Sequence, residues 1–544
     1  MKRYFTLLFI FICFFGTAQT DERPYSQPKL VVGIVIDQMR YDYLTRFWDK
    51  YDDGGFKRLV NEGFNCKNNH YNYEPTYTGP GHASVYTGTT PKMHGIIANE
   101  WYDRASMKMI YCADDDRYLS VGTGSIPGGK SPKNLITTTV TDELRLATQM
   151  KGKVVGIALK DRGAILPAGH TGTAYWFHGK DEGIWVSSDY YMNELPAWVK
   201  KFNTSRTIDQ YIKTWNTLYP IATYTESGND NNAFETKIPG VDAPVFPYDL
   251  PKLWEENKKY ELIPWTPYGN SLTMDFSLAA IEGEALGQDA ITDFLAISFS
   301  STDYVGHAYG VNAKETEDTY IRLDKDIERL LNTLDKKVGS GNYTVFLTAD
   351  HGVVHVPSYL QSLNIPGGYV VVDTVRKQLA NFLEIRFGES KLLENVSNNQ
   401  VYIDHDIAKK MKLDILEIQK ALVEEVLTYE GIKEVYSAES MKTQNYTRDI
   451  SMHIQNGYNH KRSGDVILVK EPGHISSSRK TGTTHGSSYS YDTHVPLLFY
   501  GKGINKGSTT KRTAITDIAP TISALLGIAF PNGTTGNPIS EVID

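Results

Sequence analysis

Five short apolar segments recur along the chain, and each is typical of a strand buried on both faces of a sheet. They are rich in valine, isoleucine, leucine and phenylalanine, with charged residues only at their ends: residues 29–37, 153–158, 293–299, 343–349 and 495–500. A near-continuous apolar run predicts a strand of a parallel sheet that is covered on both faces, because a strand with one solvent face alternates apolar and polar residues.

Helical patterns separate these segments. Residues 314–337 carry apolar side chains on one stripe, which predicts a long amphipathic helix: Leu323, Ile327, Leu330 and Leu334. Shorter helical patterns lie at residues 42–63 and 138–150. Strands that alternate with helices predict an α/β fold with a largely parallel central sheet sandwiched by helices.

Two stretches interrupt this alternation. Residues 171–288 are rich in Trp, Tyr, Pro and Asn and have poor periodicity, and residues 361–480 have a mixed pattern whose clearest helix is predicted at 407–427. A chain of 544 residues is long enough for one large domain with insertions. We interpret both stretches as insertions that form a cap. The core is then assembled from three parts: residues 28–170, 289–360 and 481–544.

The N-terminus has the pattern of a secretory signal peptide. Lys2 and Arg3 precede an apolar run at residues 4–15, which gives way to Gly-Thr-Ala. This pattern predicts a signal peptide at residues 1–18, cleaved after Ala18. The run is too short to span a bilayer, and no Cys follows the cleavage site to carry a lipid anchor. We therefore expect an exported protein, periplasmic or secreted, without a membrane anchor.

Charge and cysteine content narrow the possible partners. The formal net charge is −8, and loss of Lys2 and Arg3 with the signal peptide makes it −10. An acidic chain is not expected to bind nucleic acid or an anionic membrane as a bulk partner. An anionic substrate must then be captured by local positive charge. Cys66 and Cys112 either pair in the oxidising compartment or stay as two buried thiols, and the oligomeric state is left open.

Acidic and imidazole side chains cluster at the ends of the predicted strands. Five of them end or follow a strand and one precedes the last strand: Asp37, Asp303, His307, Asp350, His351 and His485. Because α/β sheets bind ligands at the carboxyl ends of their strands, we expect these side chains to meet at one edge. The four-residue spacing of Asp303 and His307 places both on one face of a helical turn. Carboxylate with imidazole suits zinc or a similar divalent ion.

A candidate nucleophile lies in residues 73–82, YEPTYTGPGH. This bend precedes a small-residue segment that can start a helix, and a helix N-terminus favours an anion. Thr78 is the first candidate and Thr76 the second, although a Thr in a Gly/Pro turn alone is ordinary turn chemistry. Two ions about 4 Å apart would clamp an in-line displacement at phosphorus. One of them would lower the hydroxyl pKa of Thr78, which is otherwise a poor nucleophile.

Three further residues are candidates for binding the transferred group. Asn99 could donate an amide hydrogen bond, and Lys160 and Arg162 directly follow the second predicted strand. Arginine grips two oxygens with its planar fork, whereas lysine adds a point charge. We therefore expect all three to contact the non-bridging oxygens of a phosphoryl group. Taken alone, Lys-Asp-Arg is also compatible with a solvated strand exit.

Together these segments resemble the alkaline phosphatase superfamily, in the Thr-nucleophile branch that includes nucleotide pyrophosphatase/phosphodiesterases. Residues 75–82 and 94–99 are similar to its patterns P-T-x-T-x-P-x-H and H-G-I-x-x-N, with Thr78 at the nucleophile position. Gly81 stands where the diesterases commonly have Asn. The resemblance implies two zinc ions per chain, with the ligands Asp37, Asp350, His351 and Thr78 at one ion and Asp303, His307 and His485 at the other.

Lys160-Asp161-Arg162 with Asn99 resembles the PafA-type secreted alkaline phosphatases. This resemblance implies hydrolysis of small phosphate monoesters through a covalent phosphothreonine. A monoester dianion presents more charge than a diester, so Lys160 and Arg162 favour it. The alternatives are a phosphodiesterase or nucleotide pyrophosphatase, and an exported binding module with structural metals. Four other histidines are expected to have structural roles: His82, His94, His355 and His494.

Overall fold

A ten-stranded sheet lies at the centre of the computed structural model, which describes residues 27–125 and 129–543. Its strands, numbered along the chain, are β1 Leu30–Ile36, β2 Phe64–Cys66, β3 Ser120–Val121, β4 Val154–Ala158, β5 Thr173–His178, β6 Ile184–Ser188, β7 Asp293–Phe299, β8 Tyr343–Thr348, β9 Leu497–Gly501 and β10 Gly507–Thr509. Across the sheet the order is β10-β2-β9-β8-β1-β7-β4-β5-β6-β3. The predicted signal peptide, residues 1–18, lies outside the described residues.

The middle of the sheet is parallel, as the apolar runs predicted. Strands β8, β1, β7, β4 and β5 all run in the same direction. Every residue of β1, β4, β7 and β8 is buried, which explains why these strands show no alternation of apolar and polar side chains. Their carboxyl ends therefore lie along one edge of the sheet.

The fifth predicted strand is β9, and it runs antiparallel to its neighbour β8. The amino end of β9 consequently lies at the same edge as the carboxyl ends of the parallel strands. His485, which precedes β9 in the chain, reaches that edge for this reason. The outer pairs β2–β9, β5–β6 and β6–β3 are also antiparallel, so the sheet is mixed with a parallel centre.

Helices flank the sheet. In the described part of the chain, those of seven or more residues are α1 Phe56–Glu62, α2 Thr78–Thr87, α3 Val140–Ala147, α4 Asp161–Ala168, α5 Ala197–Thr204, α6 Tyr268–Gly283, α7 Ser301–Tyr309, α8 Lys314–Leu334, α9 Val372–Phe387, α10 Ile415–Val426, α11 Asp449–Gly457 and α12 Ile518–Leu526. The predicted stripe of α8 is buried completely. No helix in residues 27–125 or 129–543 is long and apolar enough to cross a membrane.

The range predicted as the first insertion, residues 171–288, takes part in the core. It supplies β5 and β6 to the central sheet, and its helix α6 packs on β4 and β7. The aromatic-rich sequence of β5, TAYWFH, is a good strand former. From the sequence these aromatic residues are interpreted as a change of composition, so no strand is predicted here.

The second range, residues 361–480, forms a separate four-stranded sheet with its own apolar core. In spatial order its strands are Leu393–Ser397, Gln400–Ile403, Val466–Lys470 and Ile432–Ser437. The predicted helix at 407–427 is two helices, His405–Lys410 and α10. Lys412 adopts a left-handed backbone with φ 61°, and the Asp414 side chain caps α10 by accepting from the Leu416 N–H, so the helical pattern is broken there.

Cys66 and Cys112 are free and buried. The structure therefore has two thiols rather than a disulfide, which decides between the two possibilities that the sequence left open. Burial raises the pKa of each thiol to about 12. Both are consequently protonated and inert at neutral pH.

Gly156 of β4 allows helix α4 to pack closely on the sheet. A Cβ at this position would lie 2.2 Å from the Ala164 carbonyl oxygen, which belongs to the α4 backbone. We expect Gly156→Ala to lower the free energy of unfolding by about 1–3 kcal/mol, because α4 must move away from β4. Urea denaturation measures this change. Gly124→Ala is the matched control, since a Cβ there meets nothing within 4 Å; equal stability of the two variants would contradict the close packing.

Candidate active site

The six acidic and imidazole side chains among the predicted metal ligands converge at the carboxyl edge of the central sheet. Asp37, Asp350 and His351 place potential ligand atoms within 4.8 Å of one another. His351 Nε2 lies 3.5 Å from Asp37 Oδ1 and 3.6 Å from Asp350 Oδ2. Asp37 directly follows β1, and Asp350 follows β8 by one residue. Two neighbouring parallel strands thus deliver three side chains to one point.

The second group gathers around Asp303 in the first turn of α7. Asp303 Oδ1 lies 3.1 Å from His307 Nε2 and 3.7 Å from His485 Nε2. The His351 ring stacks on the His485 ring with centroids 3.4 Å apart. His351 also offers a potential ligand atom that lies within 4.8 Å of those of Asp303 and His485. The two groups are therefore adjacent, and His351, which the resemblance assigned to one ion, lies where they meet.

Unpartnered buried atoms make the first group a candidate cation site. Asp37 Oδ1, Asp350 Oδ2 and His351 Nε2 are buried and have no hydrogen-bond partner among the described residues. Burying carboxylate oxygens that have no hydrogen-bond partner costs several kcal/mol. Carboxylate oxygens and imidazole nitrogens at this spacing are suited to a divalent ion such as zinc. The residues present therefore fit a metal.

Backbone carbonyls orient all three imidazole rings. In each ring Nδ1–H donates to a backbone carbonyl oxygen: His307 to Thr483 at 2.8 Å, His351 to Gly352 at 3.0 Å and His485 to Thr76 at 2.7 Å. Because a carbonyl can only accept, Nδ1 of each ring carries a proton, and Nε2 is the atom directed at the carboxylates. Burial also lowers the pKa of His351 to about 3, which keeps that ring neutral and able to ligate.

Thr78 is the first residue of α2 and is buried. His82, one turn later, restrains the Thr78 backbone, because its Nδ1–H donates to the Thr78 carbonyl oxygen at 2.8 Å. A Cβ at Gly81 would lie 2.4 Å from the Asp350 carbonyl oxygen, so the first turn of α2 lies directly against the first metal group. Thr76 has a different position: its hydroxyl donates to the Ser487 carbonyl oxygen at 2.9 Å.

Asn99 and Arg162 are held in place by neighbouring groups. Asn99 Oδ1 accepts from the Gly79 N–H at 2.7 Å, which leaves its NH₂ group as a donor beside the start of α2. Arg162 Nη1 donates to the Tyr111 hydroxyl at 3.0 Å, while its Nε is buried and has no hydrogen-bond partner in the described part of the chain. Both side chains therefore keep donors that a ligand could use.

Lys160 lies between the two metal groups. Its Nζ is 2.7 Å from Asp37 Oδ2 and 2.5 Å from Asp303 Oδ2, whereas the sequence placed it on the phosphoryl group. Although burial lowers its pKa, the Asp303 and Asp37 carboxylates raise it above the ordinary value of a lysine, so Lys160 stays charged. A buried ammonium contacts the nearest unbalanced carboxylates, and the contact of Lys160 with a phosphoryl group stays a prediction.

Gln38 is a site residue that sequence reasoning missed. Its side-chain NH₂ donates to Asp303 Oδ1 at 2.6 Å, and its backbone N–H donates to Asp350 Oδ1 at 3.1 Å. It therefore contacts one carboxylate from each metal group. Its backbone is left-handed with φ 67°, an uncommon conformation for this residue type that is tolerated where the surroundings fix it. The only feature of the sequence that could have indicated a role for Gln38 in the site is its position directly after Asp37.

The group around Asp303 opens into a cleft of about 840 Å³. Lys160, Arg162, Asp303 and His307 are among its lining residues. Three more cations and two carboxylates line it farther out: Lys237, Lys258, Arg479, Glu256 and Glu261. The cleft therefore has an excess of positive side chains in an acidic protein, which is the local charge that an anionic substrate requires.

This architecture and site define the class of the protein. Residues 31–493 match the family model of type I phosphodiesterases and nucleotide pyrophosphatases, and the chain belongs to this family.

Three relatives match over almost the whole chain. Alkaline phosphatase PafA of Elizabethkingia meningoseptica is 46% identical over 532 residues, covering 97% of this chain and 96% of that protein. Alkaline phosphatase PhoV of Synechococcus elongatus is 45% identical, covering 95% and 93%. A Myroides odoratus protein named calcium-transporting ATPase is 46% identical, covering 99% of each. A crystal structure of wild-type PafA superposes with a TM-score of 0.92 at 45% identity, over 95% of this chain and 99% of that one.

Asp303→Asn tests the second metal group. The substitution removes the negative charge on which His307 and His485 converge, so we expect the bound zinc to fall from two ions to about one per chain. Elemental analysis by inductively coupled plasma mass spectrometry after dialysis measures the content. Asp53→Asn, whose side chain is 100% exposed, should keep both ions. Unchanged zinc in Asp303→Asn would show that this group does not hold a metal.

Proposed function

We propose that the chain is an exported alkaline phosphatase that hydrolyses phosphate monoesters of small molecules. The observation that carries this proposal is the meeting of two acid–imidazole groups against the helix that begins at Thr78. The almost full-length similarity to the alkaline phosphatases PafA and PhoV supports it. Export rests on the signal-peptide pattern of residues 1–18.

Two zinc ions are the proposed cofactor. Asp37, Asp350 and His351, together with Thr78, would hold one ion, and Asp303, His307 and His485 the other. When bound, the ions supply positive charge that lowers the pKa of the attacking hydroxyl and stabilises the leaving oxygen. The Nε2 atoms directed at the carboxylates and the unpartnered carboxylate oxygens support this assignment.

Thr78 is the proposed nucleophile. Its Oγ forms a bond to phosphorus while the bond to the ester oxygen breaks, and the departing alcohol takes up a proton. Water then cleaves the phosphothreonine, which releases phosphate and restores the hydroxyl. The α2 N-terminus favours the negative charge that collects on the phosphoryl oxygens. His82 supports the reaction by fixing the Thr78 carbonyl.

Asn99, Lys160 and Arg162 are the proposed phosphoryl-binding residues. A monoester dianion carries one more charge than a diester, so the cations Lys160 and Arg162 favour the monoester. A solved variant of PafA replaces a threonine, an asparagine, a lysine and an arginine, in the same order along its chain, which supports the choice of these four residues. A phosphodiesterase is the alternative, since the matching family model is described by that activity.

Thr78→Ala tests the nucleophile. We expect kcat/KM for a phosphate monoester to fall by at least about 100-fold but not to zero, because the metal groups and cations still bind the transition state. Steady-state kinetics on the zinc-loaded enzyme measures this change. Thr78→Ser keeps a hydroxyl and is the matched control, expected to retain much more activity. Full activity in Thr78→Ala with bound zinc would instead favour another nucleophile or a binding role.

Lys160→Ala and Arg162→Ala separate the two esterase activities. Each substitution should cost roughly 2–4 kcal/mol of transition-state stabilisation with a monoester, as removal of an oxyanion donor does. The cost with a diester should be smaller, because a diester presents less charge to these side chains. Comparing kcat/KM for both ester types in wild type and in the double variant measures the difference. A diester preference that survives the double substitution would favour the phosphodiesterase.

A further inference from the structure

A second group of buried acidic side chains lies outside the candidate active site. Glu235 and Glu315 expose only 4% and 0% of their surface. Both carboxylate oxygens of Glu235 and Oε2 of Glu315 are buried and have no hydrogen-bond partner among the described residues. Two carboxylates in this state are costly unless a positive charge or a proton compensates them. The proposed ester hydrolysis uses neither residue.

Glu235 lies beside the carboxyl end of α7. The N–H of the next residue, Thr236, donates to the Ala308 carbonyl oxygen at 2.8 Å, which fixes Glu235 against the last turn of that helix. Tyr309 ends α7 and is 2% exposed, and within residues 27–125 and 129–543 its hydroxyl also has no hydrogen-bond partner. The unpartnered polar atoms here therefore include a hydroxyl as well as carboxylate oxygens.

Glu315 lies in the first turn of α8, against the same end of α7. The hydroxyl of the next residue, Thr316, donates to the Gly310 carbonyl oxygen at 2.7 Å. The Tyr248 hydroxyl donates to Glu315 Oε1 at 2.5 Å, and the centroids of the Tyr248 and Tyr309 rings are 6.0 Å apart. Tyr248 thus connects the carboxylate of Glu315 to the ring of Tyr309.

The two glutamates also interact electrostatically. Burial and then the charges of Glu315 and Asp230 raise the pKa of Glu235. Lys314, which precedes Glu315 in the chain, donates to the Tyr224 carbonyl oxygen at 2.7 Å. Its ammonium group is therefore engaged elsewhere and does not neutralise Glu315 by direct contact. The group has an excess of negative charge that a cation would compensate.

A polar pocket gives solvent access to the surroundings of this group. Its volume is about 740 Å³, and its lining includes Phe234 and Lys314, which directly precede Glu235 and Glu315 in the chain. The loop before Glu235 contributes three amide side chains to the lining: Asn229, Asn231 and Asn232. This pocket is an entry path for an ion and a source of water molecules that complete its coordination.

We propose that Glu235 and Glu315 bind a calcium ion, which links residues 226–236 and the start of α8 to the end of α7. The donors in this group are carboxylate and hydroxyl oxygens, which suit Ca²⁺ better than zinc. Ca²⁺ also tolerates irregular geometry and retains water ligands. Because α7 carries Asp303 and His307, the ion stabilises the helix on which the second metal group is built. The inference does not depend on the proposed phosphatase function.

Terbium luminescence tests the site, because Tb³⁺ binds at Ca²⁺ sites and is excited by neighbouring aromatic rings. Tyr248 and Tyr309 lie at the group, so zinc-loaded wild type should give a saturable signal that added Ca²⁺ removes by competition. In Glu235→Gln and in Glu315→Gln we expect the apparent Tb³⁺ affinity to fall at least about tenfold. Both substitutions keep the shape of the side chain, so the fold is expected to persist.

Two controls separate this site from other carboxylates. Glu194→Gln removes a charge from a side chain that is 80% exposed, and Asp303→Asn changes the candidate active site. Both variants should keep the wild-type signal. Absence of a saturable signal in wild type would overturn the proposal. A signal lost in Asp303→Asn but kept in Glu235→Gln would also overturn it, because the terbium would then lie in the active site.

Thermal unfolding gives a second readout. Ca²⁺ at about 100 times its Kd should raise the midpoint of wild type by a few degrees, because it binds only the folded state, and should leave Glu235→Gln unchanged. In calcium-free buffer Glu235→Gln should be at least as stable as wild type, because the substitution removes repulsion between two buried carboxylates. If Ca²⁺ leaves the wild-type midpoint unchanged, protons compensate the pair and the calcium site is wrong.

Discussion

Compensation of buried negative charge is the constraint on which this structure depends. Asp37, Asp303 and Asp350 are almost fully buried at one sheet edge. One carboxylate oxygen of Asp37 and one of Asp350 have no hydrogen-bond partner among the described residues. Burial and the neighbouring carboxylates raise the pKa of Asp37 and Asp350, so this arrangement is stable only with positive charge nearby or with protons on the carboxyl groups. Lys160 provides part of it through its contacts to Asp37 and Asp303. The remaining unpartnered oxygens and oriented imidazole nitrogens could hold divalent metal.

The sheet supplies the geometry for this charge cluster. Parallel strands β1, β7 and β8 carry their following residues to the same edge, and the antiparallel β9 brings the loop before it to that edge as well. The site is therefore assembled from segments far apart in the chain. Gln38 connects them locally, because its side chain contacts Asp303 and its backbone contacts Asp350. The left-handed conformation at Gln38 is fixed by these contacts.

Much of this arrangement could be predicted because strands buried on both faces have an unambiguous apolar signal. Asp37, Asp350 and His351 were located by their position at the ends of such strands. The direction of β9 could not be predicted, since an apolar run has no polarity of its own. Strand β5 was hidden by its aromatic composition. The contacts of Gln38 and the ion pairs of Lys160 depend on tertiary distances that no local pattern encodes.

Anomalous scattering from crystals of the zinc-loaded protein tests the central claim most directly. Data collected on both sides of the zinc absorption edge locate the ions independently of any assumed ligands. The account predicts two peaks per chain, one bounded by Asp37, Asp350 and His351 and the other by Asp303, His307 and His485. A single peak, or zinc bound away from these residues, would contradict it.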